Sequence, residues 1–200
     1  MATGDGKTLL IEVPERVMTP RLVLRVPRAG DGAALNAAIL ASLPDLQPWL
    51  PWADHAPSVD ESESIVRRQH AQFLLREDFV FHIWEHAGDG REHTLLGGTG
   101  LHRMDWTVPR FEIGYWRRTG HARRGVISEA VVALTRLAFD QLHAERVEIR
   151  VDPENVASWR VAERAGYALD GTLRRDRRNA HGALRDTRVY SRVRGVEEPG

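Results

Sequence analysis

A strand that empties into a glycine-bearing basic loop at the start of a helix is the part of this sequence best suited to chemistry. Phe111-Glu112-Ile113-Gly114-Tyr115-Trp116 runs into Arg117-Arg118-Thr119-Gly120-His121-Ala122-Arg123-Arg124-Gly125, and Val126-Ile127-Ser128-Glu129-Ala130 opens a helix. Such a junction presents unpaired backbone N–H groups at the positive end of a helix dipole, which is how proteins commonly hold phosphate. Four arginines in the loop add positive charge, and Gly125 permits a positive φ or the close approach of a ligand oxygen. The same residues also fit an ordinary turn with solvated charges. Further along, Asp152-Pro153-Glu154-Asn155-Val156-Ala157-Ser158 lies between a strand and a helix. Asn155 stands three residues before Ser158, the spacing at which a side-chain oxygen caps a helix, so capping alone accounts for the pair when it is taken in isolation.

Other chemistries are closed off. The chain has no cysteine, which excludes disulfides, zinc-thiolate sites and thiol nucleophiles, so an enzyme here works with oxygen and nitrogen groups. Its nine histidines form no His-Glu-x-x-His motif, and no metal site is expected. Gly97-Gly98-Thr99-Gly100 lacks the lysine and hydroxyl of a P-loop and the spacing of a dinucleotide fingerprint; strand glycines that admit a ligand closely explain it better. Lys plus Arg and Asp plus Glu are each 28, so the chain as a whole has no pull toward nucleic acid or membrane. The local exception is residues 171–195, with eight arginines against two aspartates, which fits a solvated hairpin face or a surface for RNA or an acidic substrate.

The elements that would position these groups follow from periodicity and punctuation. With 200 residues and 42% hydrophobic content, one domain is expected over residues 19–195, with a flexible arm at 1–18 and a disordered tail at 196–200. Met1 to Lys7 lack the features of a secretory signal, and no apolar run approaches the roughly 18 residues of a membrane span, so a cytoplasmic protein is expected. A first strand covers Leu22 to Val26, and a helix capped by Asp31 runs through Ala33 to Leu40. Four prolines between Pro44 and Pro57 rule out a regular helix and leave Trp49 and Trp52 on a loop. A second helix opens at Val59 with Ile65, Val66, Phe73 and Leu74 on one side. Strands are predicted at Phe79 to Trp84, Thr94 to Leu101 and Arg110 to Trp116, the first two joined by a turn at Gly88-Asp89-Gly90. The helix after Gly125 carries Ile127, Ala130, Val131, Leu134, Leu137 and Ala138 at helical spacing. Then come a strand at Arg146 to Val151, a short helix at Ser158 to Ala165 ended by Gly166, extended chain at Tyr167 to Leu169, and strands at Thr172 to Arg177 and Leu184 to Val193.

In this order, the Glu112 to Trp116 strand, the basic glycine loop, Ser128-Glu129-Ala130, and Asn155-x-x-Ser158 followed by Glu163-Arg164-Ala165-Gly166-Tyr167 resemble the GNAT superfamily of N-acetyltransferases. Within it the chain is similar to the RimJ/RimL-like branch that acetylates N-terminal amines of ribosomal proteins. Thr19-Pro20-Arg21-Leu22-Val23-Leu24-Arg25 and Leu46-Gln47-Pro48-Trp49-Leu50-Pro51-Trp52 fit the same branch, so the resemblance covers roughly residues 18–194. It implies an α/β (α+β) GNAT fold: a twisted, mixed, mostly antiparallel sheet of about seven strands that splays centrally, flanked by about four helices. It also implies acetyl-CoA as co-substrate without a metal, and an amine acceptor, either a peptide N-terminus, with a ribosomal protein among the candidates, or a small molecule. A homodimer would be ordinary for the branch.

The resemblance assigns coenzyme A binding to Ile113, Gly114, Tyr115, Gly120, His121, Ala122, Arg123, Arg124, Gly125, Val126, Asn155 and Ser158. The family's phosphate loop usually has Gln or Arg, then Gly, then Gly or Ala where this chain has Ala122, Gly125 and Ile127, and Arg123 stands where Gly is frequent. Phosphate is held mainly by backbone N–H groups, so these substitutions change bulk more than they remove donors. For the attack of an amine on the thioester, Glu112 is the favoured general base, acting through water, with His102 as its rival; each also fits a solvated surface position. A backbone N–H near Gly114 or Tyr115 suits the oxyanion. Ser158 corresponds to a residue near the thioester sulfur that can protonate the leaving thiolate, and Tyr167 is either a second donor or a core residue. Trp49 and Trp52 either wall the acceptor pocket or cover the core. The alternatives are a non-catalytic acyl-CoA sensor and an RNA- or ribosome-binding module that uses the Arg-rich hairpin.

Overall fold

The computed structural model describes residues 8–120, 125–179 and 182–198. Its strands are β1 (Arg16–Met18), β2 (Leu22–Arg25), β3 (Phe79–Glu85), β4 (Leu95–Asp105), β5 (Arg110–Arg117), β6 (Arg146–Val151), β7 (Ala168–Arg178) and β8 (Leu184–Val193). They form one sheet in the order β1-β2-β3-β4-β5-β6-β8-β7. Every neighbouring pair is antiparallel except β5 and β6. A parallel pair needs a crossover, and α4 (Val126–Asp140) supplies it. The β5–β6 ladder holds only where Arg110 faces Arg146, Phe111 faces Val147 and Glu112 faces Glu148. Beyond Glu112 the two strands part, so the sheet splits at its centre.

Two apolar layers sandwich the sheet. On one face α1 (Gly32–Leu40) and α3 (Val59–Leu74) set Leu35, Ala38, Ile39 and Val66 against Val23, Trp84 and Leu95. On the other, α4 buries Val126, Ile127, Ala130, Val131, Leu134 and Leu137 against Leu22, Leu24, Phe81, Ile113 and Ile149, with α5 (Val156–Arg164) beside it. The three- and four-residue spacing of the α4 apolar positions makes this stripe. Ser58 and Glu61 cap α3 reciprocally, which fixes where the proline-rich segment ends and the helix begins.

Several elements depart from the sequence expectation. Residues 8–18 hold a 3-10 turn at Thr8–Leu10 and the short strand β1, in which Val17 pairs with Leu24. Three residues carry too little pattern to read as a strand; the pairing is supplied by β2. Residues 43–57 contain a single-turn helix, α2 (Leu43–Leu46), and a 3-10 turn at Pro51–Ala53, both with proline in the first two positions, where a missing N–H costs nothing. Asp31 stands at the N-cap of α1 but makes no side-chain cap. Its carboxylate instead accepts from Arg25 Nη1 at 2.8 Å and the Arg28 N–H at 2.7 Å. On α3 the inward stripe is Ser62, Val66 and Phe73, whereas Ile65 and Leu74 face outward. The predicted Tyr167 to Leu169 and Thr172 to Arg177 segments largely merge into one bulged strand, β7, against β8, with Tyr167 just before its start.

Candidate active site

β5 is the axis of the site. Phe111, Ile113 and Tyr115 point toward α4 and α5; Glu112, Gly114 and Trp116 occupy the other face. Across the β4 ladder His102 faces Glu112, Gly100 faces Gly114 and Gly98 faces Trp116, so this second face carries aligned functional groups. Past Glu112 the edge of β5 turned toward β6 has no ladder partner among the described residues, so the backbone of Ile113 to Trp116 runs along the splay. A thin extended ligand can add to such an edge.

The helix beyond the loop is entered through a left-handed residue. Gly125 has φ +87° as N-cap of α4, and among the described residues no side chain caps the N–H groups of the first turn. Gly120 also has a positive φ, +82°. Glu129 ties the helix start down: its Oε1 accepts from Thr19 Oγ1 at 2.6 Å and its Oε2 from Arg21 Nε at 2.7 Å. Burial pushes the Glu129 carboxyl up, but the bonds from Thr19 and Arg21 outweigh it and hold the group below its ordinary value. Of the expected phosphate-loop set, Gly120, Gly125 and Val126 sit where the sequence placed them, while His121, Ala122, Arg123 and Arg124 lie outside the described residues.

On the α5 face the expected cap is present: the Ser158 N–H donates to Asn155 Oδ1 at 3.1 Å. Since the cap uses the backbone, the Ser158 hydroxyl remains free to donate to the Tyr115 hydroxyl at 3.2 Å, while Tyr115 donates to the Ser158 carbonyl at 2.9 Å. Burial drives the Tyr115 pKa up to about 12 against the opposing bond from Ser158, so this phenol keeps its proton at neutral pH. Tyr167, also a sequence candidate, is instead set in the core with its hydroxyl 2.6 Å from Thr135 Oγ1 of α4. Burial raises its pKa as well, and the contact with Thr135 turns it away from donor duty. Tyr115, expected only as a backbone contact, is the phenol that reaches Ser158.

On the opposite face Glu112 is largely covered, and burial raises its pKa against the opposing charges of Arg103 and Arg150, 3.5 and 4.0 Å from Oε2. That oxygen is buried without a hydrogen bond. His102 beside it has Nδ1 2.7 Å from Asp78 Oδ1, a partner that the sequence reading missed. The β3–β4 hairpin could have revealed it, because Phe79 pairs with Leu101 and the next positions are Asp78 and His102. The glycines of β4 also gain a different explanation. A β-carbon at Gly100 would lie 2.7 Å from His102 Cε1, and one at Gly98 2.5 Å from Trp116 Nε1, so these glycines seat aromatic rings.

The proline-rich segment closes the side of the splay. Trp52 is 48% exposed and meets Trp116 edge-on at 5.9 Å, while Trp49, Leu50 and Pro51 line a narrow cleft with Asp152, Arg177 and Asn179. Trp52 therefore lies over a ring of β5 rather than over the core. Part of the arginine charge of β7 and β8 is paired: Arg185 bonds Asp152 at 3.0 and 2.9 Å, Arg177 lies 3.8 Å from the same carboxylate and Arg192 pairs with Glu198, while Arg188 covers the Trp159 ring. The chain's one His-x-x-x-His spacing, His82 and His86, which the sequence reading passed over, falls on β3 and its exit. There His82 is buried and His86 Nε2 lies 3.0 Å from the Thr19 carbonyl. Among the described residues no group of three or more His, Cys, Asp or Glu side chains could hold a metal ion, and no helix is long and apolar enough to cross a membrane.

Comparison with known proteins shows the family and the fold. The model of the acetyltransferase (GNAT) domain family matches residues 21–168. The ribosomal-protein-serine acetyltransferase of Escherichia coli (strain K12) is 30% identical over 151 residues, which cover 74% of this chain and 79% of that protein. Among solved structures, the microcin C7 self-immunity acetyltransferase MccE in complex with acetyl-CoA and AMP superposes with a TM-score of 0.82 at 18% identity, covering 92% of this chain and 99% of that one. RimL, a ribosomal L7/L12 α-N-protein acetyltransferase in complex with coenzyme A, gives 0.79 at 21% identity, covering 90% and 97%. At these identities the two structures share the fold with this chain.

Proposed function

The chain belongs to the GNAT family of acetyltransferases, and from that premise we propose that it moves an acetyl group from acetyl-CoA to the α-amine of a protein N-terminus, with ribosomal proteins as the acceptor class. The observation that carries this is the opening of the sheet beyond Glu112 and Glu148, with an uncapped helix start at Gly125 on one side and the Ser158–Tyr115 pair on the other. The pantetheine arm of acetyl-CoA lies along the free edge of Ile113 to Trp116, and the pyrophosphate meets the first-turn N–H groups of α4. That route ends the thioester beside Ser158.

The amine attacks directly, with no acyl-enzyme. A backbone N–H at Gly114 or Tyr115 receives the oxyanion. Ser158 swings its hydroxyl proton from the Tyr115 oxygen to the departing sulfur, and Tyr167, set in the core against Thr135, takes no part. The acceptor enters on the side of Trp49 and Trp52, and its proton leaves on the face that carries Glu112 and His102. Such an enzyme works in the cytoplasm, where ribosomal acceptors are made, and the family resemblance favours a homodimer, which light scattering tests. The pairing of Arg177 and Arg185 with Asp152 weighs against a free basic surface for RNA. The function itself is tested by release of free thiol from acetyl-CoA and succinyl-CoA against a panel of peptide N-termini, polyamines and amino acids. Turnover with acetyl-CoA and peptide N-termini is expected; turnover confined to small amines would overturn the acceptor class.

A further inference from the structure

Resting on this acetyl-transfer reading, we propose that His102 takes the proton from the acceptor amine and that Asp78 is its positioning residue. Asp78 Oδ1 sits 2.7 Å from His102 Nδ1. A carboxylate there makes Nδ1 the donor and leaves Nε2 as the acceptor. The rest of the ring is seated by the sheet itself. A β-carbon on Gly100 would come 2.8 Å from Nε2, and one on Gly114 3.0 Å from both Nε2 and Cδ2, so the imidazole lies across the facing pair Gly100 and Gly114, in room that only glycines leave. Among the described residues Nε2 has no hydrogen-bond partner in the protein.

Position separates His102 from Glu112. Glu112 belongs to the last closed pair of β5 and β6, hemmed in by Arg103, Arg150 and Glu148. Gly114, beneath Nε2, lies past that pair, where the strands have parted. A base at Nε2 therefore stands at the mouth of the splay, and one at Glu112 behind it.

In the step itself, the amine lone pair bonds to the thioester carbonyl carbon while the carbonyl pair moves to oxygen, and a proton passes from that nitrogen to Nε2. The carbonyl then re-forms and the C–S bond breaks, its pair leaving with sulfur. The thiolate takes a proton from Ser158, which solvent restores, and the imidazolium returns its proton to solvent.

The test is a double-mutant cycle on the full chain, reading kcat and the KM for acetyl-CoA with an active acceptor peptide. His102→Ala and His102→Gln are each expected to lower kcat by ~10²-fold, with KM for acetyl-CoA nearly unchanged and partial recovery of His102→Ala by added imidazole. Asp78→Asn should lower kcat by ~10-fold alone and add nothing in the His102→Ala background, with Asp78→Glu recovering part of the loss. Glu112→Gln is expected to lose less than His102→Gln. A wild-type enzyme that turns over alongside fully active His102→Ala and His102→Gln would overturn this assignment and leave the transfer reading standing. So would an Asp78→Asn loss that multiplies undiminished onto His102→Ala, because that marks a merely structural contact. A wild-type chain with no turnover on any amine overturns both.

Discussion

Buried at 1% exposure with neither ring nitrogen hydrogen bonded, His82 illustrates how a single residue can set a pH dependence away from the chemistry. Burial lowers its pKa to about 4, with Asp31 opposing and Arg25 reinforcing the shift. The folded state thus refuses a proton that the unfolded chain accepts, so stability falls as pH drops through the window from about 6.5 to about 4. At pH 5 the loss is about 2 kcal/mol. His82→Leu should shrink the difference between urea midpoints at pH 7 and pH 5 by a corresponding amount; an unchanged difference would place the titration elsewhere. The Asn155 and Ser158 pair allows a second separation. The cap uses the Ser158 N–H, so Ser158→Ala keeps it and is expected to lower kcat by ~10-fold at nearly constant Tm, whereas Asn155→Ala costs about 1 kcal/mol of stability. Equal stability losses in the two would show that the hydroxyl, too, is structural.

Elements were legible in proportion to their length and periodicity. The β5-loop-α4 unit could be read because an alternating strand, a glycine loop and a long apolar stripe each leave a strong pattern. β1 could not, since three residues pair only because β2 is there. The face of α3 slipped because Ile65 and Leu74 are as apolar as Val66 and Phe73, and only packing selects among them, of Val66 against Val23 and Trp84 and of Phe73 against Phe79 and Phe81. The site was visible as residue types but not as partners. Asp78 meets His102 through the β3–β4 register and Tyr115 meets Ser158 through the β5–α5 approach, contacts that lie outside any local motif. The α4 start gives the prediction at this scale. Gly125 at φ +87° can be replaced by Ala only with strain of about 1–2 kcal/mol, and a shifted first turn should raise the KM for acetyl-CoA with little change in kcat. An unaltered KM in a folded Gly125→Ala enzyme would mean that the pyrophosphate binds elsewhere.

For the molecule as a whole, ion pairs that each bury at least part of a carboxylate tie the parts together. Arg25 with Asp31 joins β2 to α1, Arg21 with Glu129 joins the β1–β2 turn to α4, and Arg185 with Asp152 joins β8 to the end of β6. In Asp31, Glu129 and Asp152 burial raises the pKa, but bonds from Arg25, from Thr19 and Arg21, and from Arg185 respectively prevail and leave each below its ordinary value. Depressed carboxyl values stabilise the fold above the unfolded values of 3.8 for Asp and 4.5 for Glu, and that contribution is lost as pH falls through the lower folded values. Acid unfolding should therefore steepen below about pH 4, and Asp152→Asn should flatten it. Arg25 with Asp31 braces one half of the sheet and Arg185 with Asp152 the other, and the opening lies between them. The central claim is tested most directly by mass spectrometry of a ribosomal-protein N-terminal peptide incubated with the enzyme and isotopically labelled acetyl-CoA. One labelled acetyl group on the α-amine, absent when that amine is blocked beforehand, is the predicted result. An unmodified peptide beside folded enzyme, or label on lysine side chains alone, would contradict it.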